Sequence, residues 1–175
     1  MKGKICMVTG ATSGIGEATA RTLAQMGATV VVVGRSSEKS VATVEHIKQQ
    51  TGNPTVEFML ADLSSQKEIR RLARRLEGTG GAVNALHPGV VATRFGHNNQ
   101  GLAGMLVRLS NLFAISPERG ARTIIYLATS PEVESMTGQY FVNNKKKASS
   151  SSASYDRAKA VRLWQVSETM TGLSA

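Results

Sequence analysis

The apolar positions of this chain fall into short solid runs separated by stretches with a helical repeat. "GKICMVTG" (3–10) is a compact apolar run ending at glycine, the pattern of a buried parallel strand. From Gly14 to Met26 the residues Ile15, Ala18, Leu23 and Met26 keep helical spacing, and Gly27 closes the helix. "ATVVVVG" (28–34) carries four consecutive valines and is the plainest strand of all. A serine cap at Ser36 or Ser37 opens a second helix with Val41, Val44 and Ile47 on its apolar side, ending near Thr51–Gly52. "TVEFMLAD" (55–62) predicts a third strand. A third helix follows from about Ser65 to Glu77, where "GTGG" breaks it.

The second half continues the alternation. "AVNALHPGV" (82–90) reads as a fourth strand ending at Pro88–Gly89. Residues 95–113 are rich in glycine and asparagine at first, then apolar. Ser116-Pro117-Glu118 sets a cap before a proline at the first helical position, and that helix runs through Ile124 and Leu127 to Pro131. "GQYFVNN" (138–144) predicts the fifth strand. "KKKASSSSAS" (145–154) reads as a polar linker, and residues 155–175 as an amphipathic helix with Val161, Trp164 and Val166. Strands alternating with helices predict an α/β fold with a doubly wound parallel sheet, residues 1–144 forming one domain.

Length and composition fit one folded domain: 175 residues, 41% hydrophobic and 19% charged. No apolar run approaches the roughly 20 residues that a membrane helix needs, and "MKGKICMVTG" leads straight into a strand. A cytoplasmic location is expected. Cys6 is the single cysteine, so no internal disulfide forms, and with three histidines no metal-ligand cluster is expected. Charge changes the picture more. The excess of Lys and Arg gives +9, concentrated in "RRLARR" (70–75) and "KKK" (145–147). Such clusters attract phosphates or simply form a solvated basic face. Aromatic residues do not interleave with them, so no specific nucleic-acid partner is expected.

Candidate chemistry begins at "VTGATSGIG" (8–16), where the first strand turns into the first helix. Gly10 permits the tight turn, Gly14 lets the backbone approach a diphosphate, and Gly16 permits close helix–strand packing. Thr12, Ser13 and Ile15 complete the loop, and the helix N-terminus supplies amide donors and a positive dipole end. A glycine loop in this setting predicts a dinucleotide site.

The spacing Thr9-Gly10-x-x-x-Gly14-x-Gly16 resembles the short-chain dehydrogenase/reductase family. "ADL" (61–63) and "NALHPGVVAT" (84–93) resemble further segments of that family. "GQYFVNN" and "YDRAKAVRLWQVSE" are most similar to its retinol-dehydrogenase-like branch. The resemblance implies a Rossmann-like sheet and a nicotinamide dinucleotide cofactor. It also implies that Asp62 and Leu63 contact the adenine. The backbone after Pro88–Gly89, with the side chain of Thr93, would hold the nicotinamide carboxamide.

Cofactor choice is legible at the end of the second strand. An NAD-selective site places a carboxylate there, whereas this chain has Gly34, then Arg35 and Ser36, with Lys39 nearby. Arg35 suits a 2′-phosphate, so NADP(H) is the expected cofactor.

The resemblance also exposes a gap. The family's Asn-Asn-Ala-Gly strand, the strand bearing its catalytic serine and the helix bearing Tyr-x-x-x-Lys find no counterpart between Asp62 and Asn84. About 20 residues lie there, against roughly 60 for two βα units. "EIRRLARRLEGTGGAVNALHPG" looks like a splice of the family's helix after strand three onto the later part of its Tyr-x-x-x-Lys helix. Loss of the middle strands would close the sheet to five strands in the order 3-2-1-4-5.

One Tyr-x-x-x-Lys does occur, at Tyr155 and Lys159, spaced as one helical turn. It lies beyond the last predicted strand and the serine linker, so the expected function is NADP(H) binding with little or no dehydrogenase activity. Two alternatives stand beside this. One is an active carbonyl or alcohol oxidoreductase using Tyr155 and Lys159 on a small substrate. The other is a noncatalytic protein binding anionic partners through its basic face.

Overall fold

The computed structural model describes residues 1–76, 83–91, 114–142, 146–147, 149 and 151–172. Its first half is one continuous unit: β1 (Ile5–Thr9), α1 (Gly14–Gln25), β2 (Thr29–Gly34), α2 (Ser37–Thr51) and β3 (Val56–Leu60). The three strands are parallel with β2 in the middle, Ile5 lying opposite Thr29 and Val30 opposite Val56. The central position explains the four valines. With a period of two, Val30 and Val32 meet Leu23 of α1 and Ile47 of α2, while Val31 and Val33 turn toward Ala61 and Leu72. Leu72 belongs to α3 (Gln66–Leu76), so helices cover both faces and the sheet is doubly wound here. Asn53 ties the helices to the strands. Its Nδ2 donates to the Ala24 and Ala28 carbonyls at 2.8 and 2.9 Å, and its Oδ1 accepts from Thr55 N–H at 2.9 Å.

The second half is built from β4 (Ala85–Leu86), α4 (Pro117–Thr129), β5 (Tyr140–Val142), β6 (Lys146–Lys147) and α5 (Arg157–Thr171). β4 and β5 are parallel neighbours, as expected, and β6 adds to β5 in antiparallel register. The expected single sheet in the order 3-2-1-4-5 needs correction. The orders 3-2-1 and 4-5 both occur, but in two separate three-stranded sheets. The expected strand over 82–90 also shrinks to two residues. Asn84 is held by its own side chain, which donates to the Met136 carbonyl and accepts from Gln139 N–H. Beyond Leu86, Pro88 has no N–H, and Gly89 turns at φ +88° with its N–H donated to His87 Nδ1. The segment 145–154 is not wholly a linker: Lys146 and Lys147 pair with Val142 and Phe141, occupying the free edge of β5.

The two sheets leave a crevice between β1 and β4. Lys4 accepts from Thr29 N–H and Gly10 N–H donates to Val33, so ladder alternation turns the main-chain groups of Ile5, Met7 and Thr9 to the opposite edge. On β4, Ala85 and His87 donate to Gln139 and Phe141, which turns Asn84 and Leu86 away from β5. Ile5, Asn84 and Leu86, with Ile124 and Leu127 of α4, line a space of about 710 Å³. Ile5 is 76% exposed, although a central strand would bury it.

Among the described residues, helix packing rather than strand pairing connects the halves. α4 lies against α1 at Gly120, where an added Cβ would sit 2.8 Å from Val91 Cγ2 and 3.4 Å from Ile15 Cγ1. Val91 bridges Ile115 just before α4, and Phe141 of β5 meets Tyr126 of α4 edge to face at 6.5 Å. Arg21 of α1 and Glu118 of α4 close the contact with a 2.9 Å ion pair.

In an uncrowded helix, Gly→Ala stabilises by about 0.5–1 kcal/mol. At Gly120 the contact with the stiff Val91 side chain reverses that sign. Gly120→Ala is expected to destabilise by about 1–3 kcal/mol, and Gly120→Ala with Val91→Ala to recover much of it, read as thermal midpoints by circular dichroism.

The Glu118 carboxyl is held below its ordinary range by its own backbone N–H, then by the Arg21 guanidinium and the Ser116 hydroxyl. A lowered folded value contributes stability above the ordinary value of about 4.3 that is lost as pH falls through the lowered one. The difference in thermal midpoint between the native chain and Glu118→Gln should therefore shrink on acidification below about pH 4. It should also shrink in high salt, because the pair is solvent-accessible.

Candidate cofactor site

The carboxyl ends of β1, β2 and β3 converge on one rim of the first sheet. β1 leaves through Gly10, whose φ of +64° makes the turn and whose N–H donates to the Val33 carbonyl at 3.2 Å. Gly14 is again left-handed at φ +58°. Gly16 explains itself by contact: a Cβ there would run into the Gly10 carbonyl and lie 3.0 Å from Ala11 Cα. The helix thus starts directly against the strand end, as Gly10 and Gly16 predicted.

Ser13 is the N-cap of α1, with extended backbone, yet its hydroxyl makes no capping hydrogen bond. Among the described residues, the first-turn amides of Gly14, Ile15 and Gly16 therefore have no side-chain acceptor. A helix of 12 residues brings its positive dipole end to the same place. A diphosphate fits this chemistry: uncapped donors, glycine backbone on the approach and no acidic side chain within the loop.

β2 ends at Gly34, which a side chain could not replace. Its Cβ would lie 2.6 Å from Ser40 Oγ and 2.9 Å from Thr12 Cγ2, so the glycine loop and α2 wall it on two sides. Arg35 follows and is exposed. Ser36 caps α2, its Oγ accepting from Lys39 N–H at 3.4 Å, which sets Lys39 on the same first turn. Asp62 stands beyond the neighbouring end of β3. Its carboxyl is lowered first by the Ser64 N–H and hydroxyl, at 3.0 and 2.8 Å, and last by the charge of Arg35. One Asp62 oxygen is thus committed to the turn that opens α3, with Leu63 41% exposed beside it.

Pro88 and Gly89 lie beyond β4, near the α1–α4 contact, because Val91 and Ile15 share Gly120. Gly89 N–H is used by His87 Nδ1, and the Val90 carbonyl accepts from Ile115 N–H at 2.9 Å. Thr93 lies outside the described residues.

Tyr155 and Lys159 are not two positions of one helix. Tyr155 ends a 3₁₀ turn (Ser152–Tyr155) and is 66% exposed; Asp156 then caps α5, accepting from Ala158 and Lys159 N–H. The break falls between the pair, which corrects the expected one-turn spacing and the start of the helix at 155. Lys159 Nζ pairs with Asp156 at 3.0 Å, and α5 buries none of its residues. Among the described residues, no helix is long and apolar enough to cross a membrane.

Ser40, His87 and Gly120 were not anticipated. A glycine inside an apolar helical repeat was a readable sign of Gly120. Ser40 and His87 act through contacts that sequence spacing does not reveal.

Comparison with known proteins gives this site its family context. A model of the short chain dehydrogenase family matches residues 4–101. Human retinol dehydrogenase 14 is 42% identical over 130 residues, and human retinol dehydrogenase 13 is 39% identical over 112. These matches cover 71% and 61% of this chain but only 38% and 33% of those proteins. The matched region thus spans little more than a third of the curated relatives' length. A crystal structure of hydroxysteroid dehydrogenase from Escherichia coli superposes with a TM-score of 0.60, covering 81% of this chain and 94% of that one. Its 18% identity makes that a likeness of fold alone. With the family model matched across the glycine loop and the first three strands, the chain belongs to the short chain dehydrogenase family.

Proposed function

We propose that the chain is an NADP(H)-binding domain with little or no hydride-transfer activity of its own. The observation that carries this is the placing of the uncapped turn Ser13–Gly16 and of Arg35 on the same rim, with Thr12 packed against Gly34 between them. In this reading the amides of Gly14–Gly16 hold the diphosphate. Arg35 takes the 2′-phosphate in its planar fork, with Ser36 and Lys39 beside it. Asp62 and Leu63 border the adenine, and Pro88, Gly89 and Thr93 border the nicotinamide. The bound nicotinamide would supply a hydride to a small carbonyl compound, or accept one from an alcohol.

The doubt about chemistry rests on the proton. Reduction of a carbonyl needs a donor within hydrogen-bond reach of the developing alkoxide, and such a donor contributes about 10²–10⁴-fold in rate. Tyr155 stands in a separate turn before an unburied helix, and the ammonium that would lower its pKa is paired with Asp156. The short connection from Asp62 to Asn84 is read as an internal deletion, and the crevice between β1 and β4 fits the loss of the strands that would fill it.

Titration of cofactor fluorescence is expected to give tighter binding of NADPH than of NADH. Arg35→Asp should weaken NADPH by about tenfold or more and leave NADH nearly unchanged, as expected for loss of one charge-assisted phosphate contact. Equal loss for both cofactors would remove Arg35 from the 2′-phosphate.

Retinal and simple aldehydes with NADPH should give no reduction above background. Turnover that disappears in Tyr155→Phe would establish the opposite reading, an active oxidoreductase with its acid in the tail.

A further inference from the structure

Gly34 is the position where an acid would receive the 2′-hydroxyl of an unphosphorylated cofactor. Its backbone does not require glycine, because it is absent from the positive-φ glycines. What requires glycine is space. The place a Cβ would take is bounded by Ser40 Oγ at 2.6 Å and Thr12 Cγ2 at 2.9 Å, while Ser40 Cβ is 3.9 Å away. The Ser40 hydroxyl is the nearer wall, and it is fixed. Ser40 is fully buried, and its Oγ donates to the Ser36 carbonyl at 2.8 Å, on the turn that follows Arg35. A hydroxyl pinned by such a bond cannot swing aside without leaving a buried donor unpaired.

We infer that Ser40 is a specificity-determining residue of the cofactor site. It touches no cofactor and acts by position. By filling the space beside Gly34 it excludes the carboxylate that an unphosphorylated ribose needs, and so leaves recognition at this corner to Arg35. The hydrogen bond from Ser40 to Ser36 also fixes the turn on which Arg35, Ser36 and Lys39 are displayed. Preference for the phosphorylated cofactor is thereby written into a buried contact of α2 as well as into an exposed arginine. This inference rests on the reading of the rim as an NADP(H) site.

Two consequences separate it from a role for Arg35 alone. First, the wall acts on any side chain at position 34, charged or not. Gly34→Ala is expected to lower the thermal midpoint by roughly 5 °C, the cost of overpacking a filled site, and Gly34→Ala with Ser40→Ala to regain a measurable part of that, the Thr12 methyl at 2.9 Å remaining. Second, an acid at 34 works only after the wall is removed. Gly34→Asp alone should lower the midpoint and bind both cofactors poorly. Gly34→Asp with Ser40→Ala should fold better and shift the ratio of NADH to NADPH affinity toward NADH by about tenfold or more.

The test is a set of melting curves and NADH and NADPH titrations on the full chain and these four variants. Rescue of both the midpoint and the NADH affinity by Ser40→Ala supports the inference. If Gly34→Asp alone melts like the native chain and switches to NADH, Ser40 excludes nothing and the inference fails while the cofactor site stands. If the native chain binds neither cofactor, the reading of the site fails and the specificity role falls with it. A rescue of Gly34→Ala by Ser40→Ala would then remain as packing alone.

Discussion

Among the described residues, the tightest constraint is the passage of Gly16 against the Gly10 carbonyl, with no room for a single added carbon. It fixes where α1 begins relative to the end of β1, and much follows from that. The first-turn amides face out over the strand ends, and Ile15 is presented on the side of the helix that meets α4. Gly120 accepts that approach and brings Val91 with it, so the segment after β4 reaches the neighbourhood of the glycine loop. Gly10 and Gly16, six positions apart, and the distant Gly120 therefore act as spacers in one stack, from β1 through α1 to α4. Each is tolerable because what it gives up in chain entropy is returned as close backbone packing.

Most of the first half was legible in the sequence because its signals are local. Four valines in the middle strand, serine before α2 and Gly52 after it specify elements whose partners are nearby in the chain. The glycine loop was legible for the same reason, since turn, approach and packing all fall within seven residues. What the sequence did not disclose was the junction of the two sheets. Whether β1 and β4 pair depends on how far α4 can approach α1, a distance decided by side chains such as Val91 and by no periodicity. The Tyr155–Lys159 spacing misled in a related way. Four residues suggest one helical turn, but Asp156 is a better cap than an interior helical residue, and the helix starts at Arg157, two residues too late for the pair.

The rim carries charges of both signs, and their arrangement is informative. The charge of Arg35 helps hold the Asp62 carboxyl low, yet Asp62 spends an oxygen on Ser64 and the turn into α3. An acid there serves the local fold, while the basic groups Arg35 and Lys39 remain turned outward on the first residues around α2. Division of labour between a structural carboxylate and exposed cations suits the 2′-phosphate that the proposed function would bring to this corner. The net charge of +9 favours the same encounter at longer range.

A sheet normally transmits cooperativity through its ladder, because breaking one strand exposes the backbone of the next. Among the described residues the ladder stops at β1, and the connection toward β4 and β5 runs through the packing of α4 on α1, with Ile15, Val91 and Gly120 in contact and Arg21 paired with Glu118. Such contacts are short-ranged and forfeit their energy over a small separation, whereas the hydrogen-bonded halves on either side do not. The boundary between the sheets is therefore held by side-chain packing, and each side keeps its own strand pairing. Under the proposed function, the loop that would face the diphosphate and the segment that would face the nicotinamide lie on opposite sides of that boundary. A dinucleotide spanning both would act as a tie across it, so that occupancy and rigidity become the same variable.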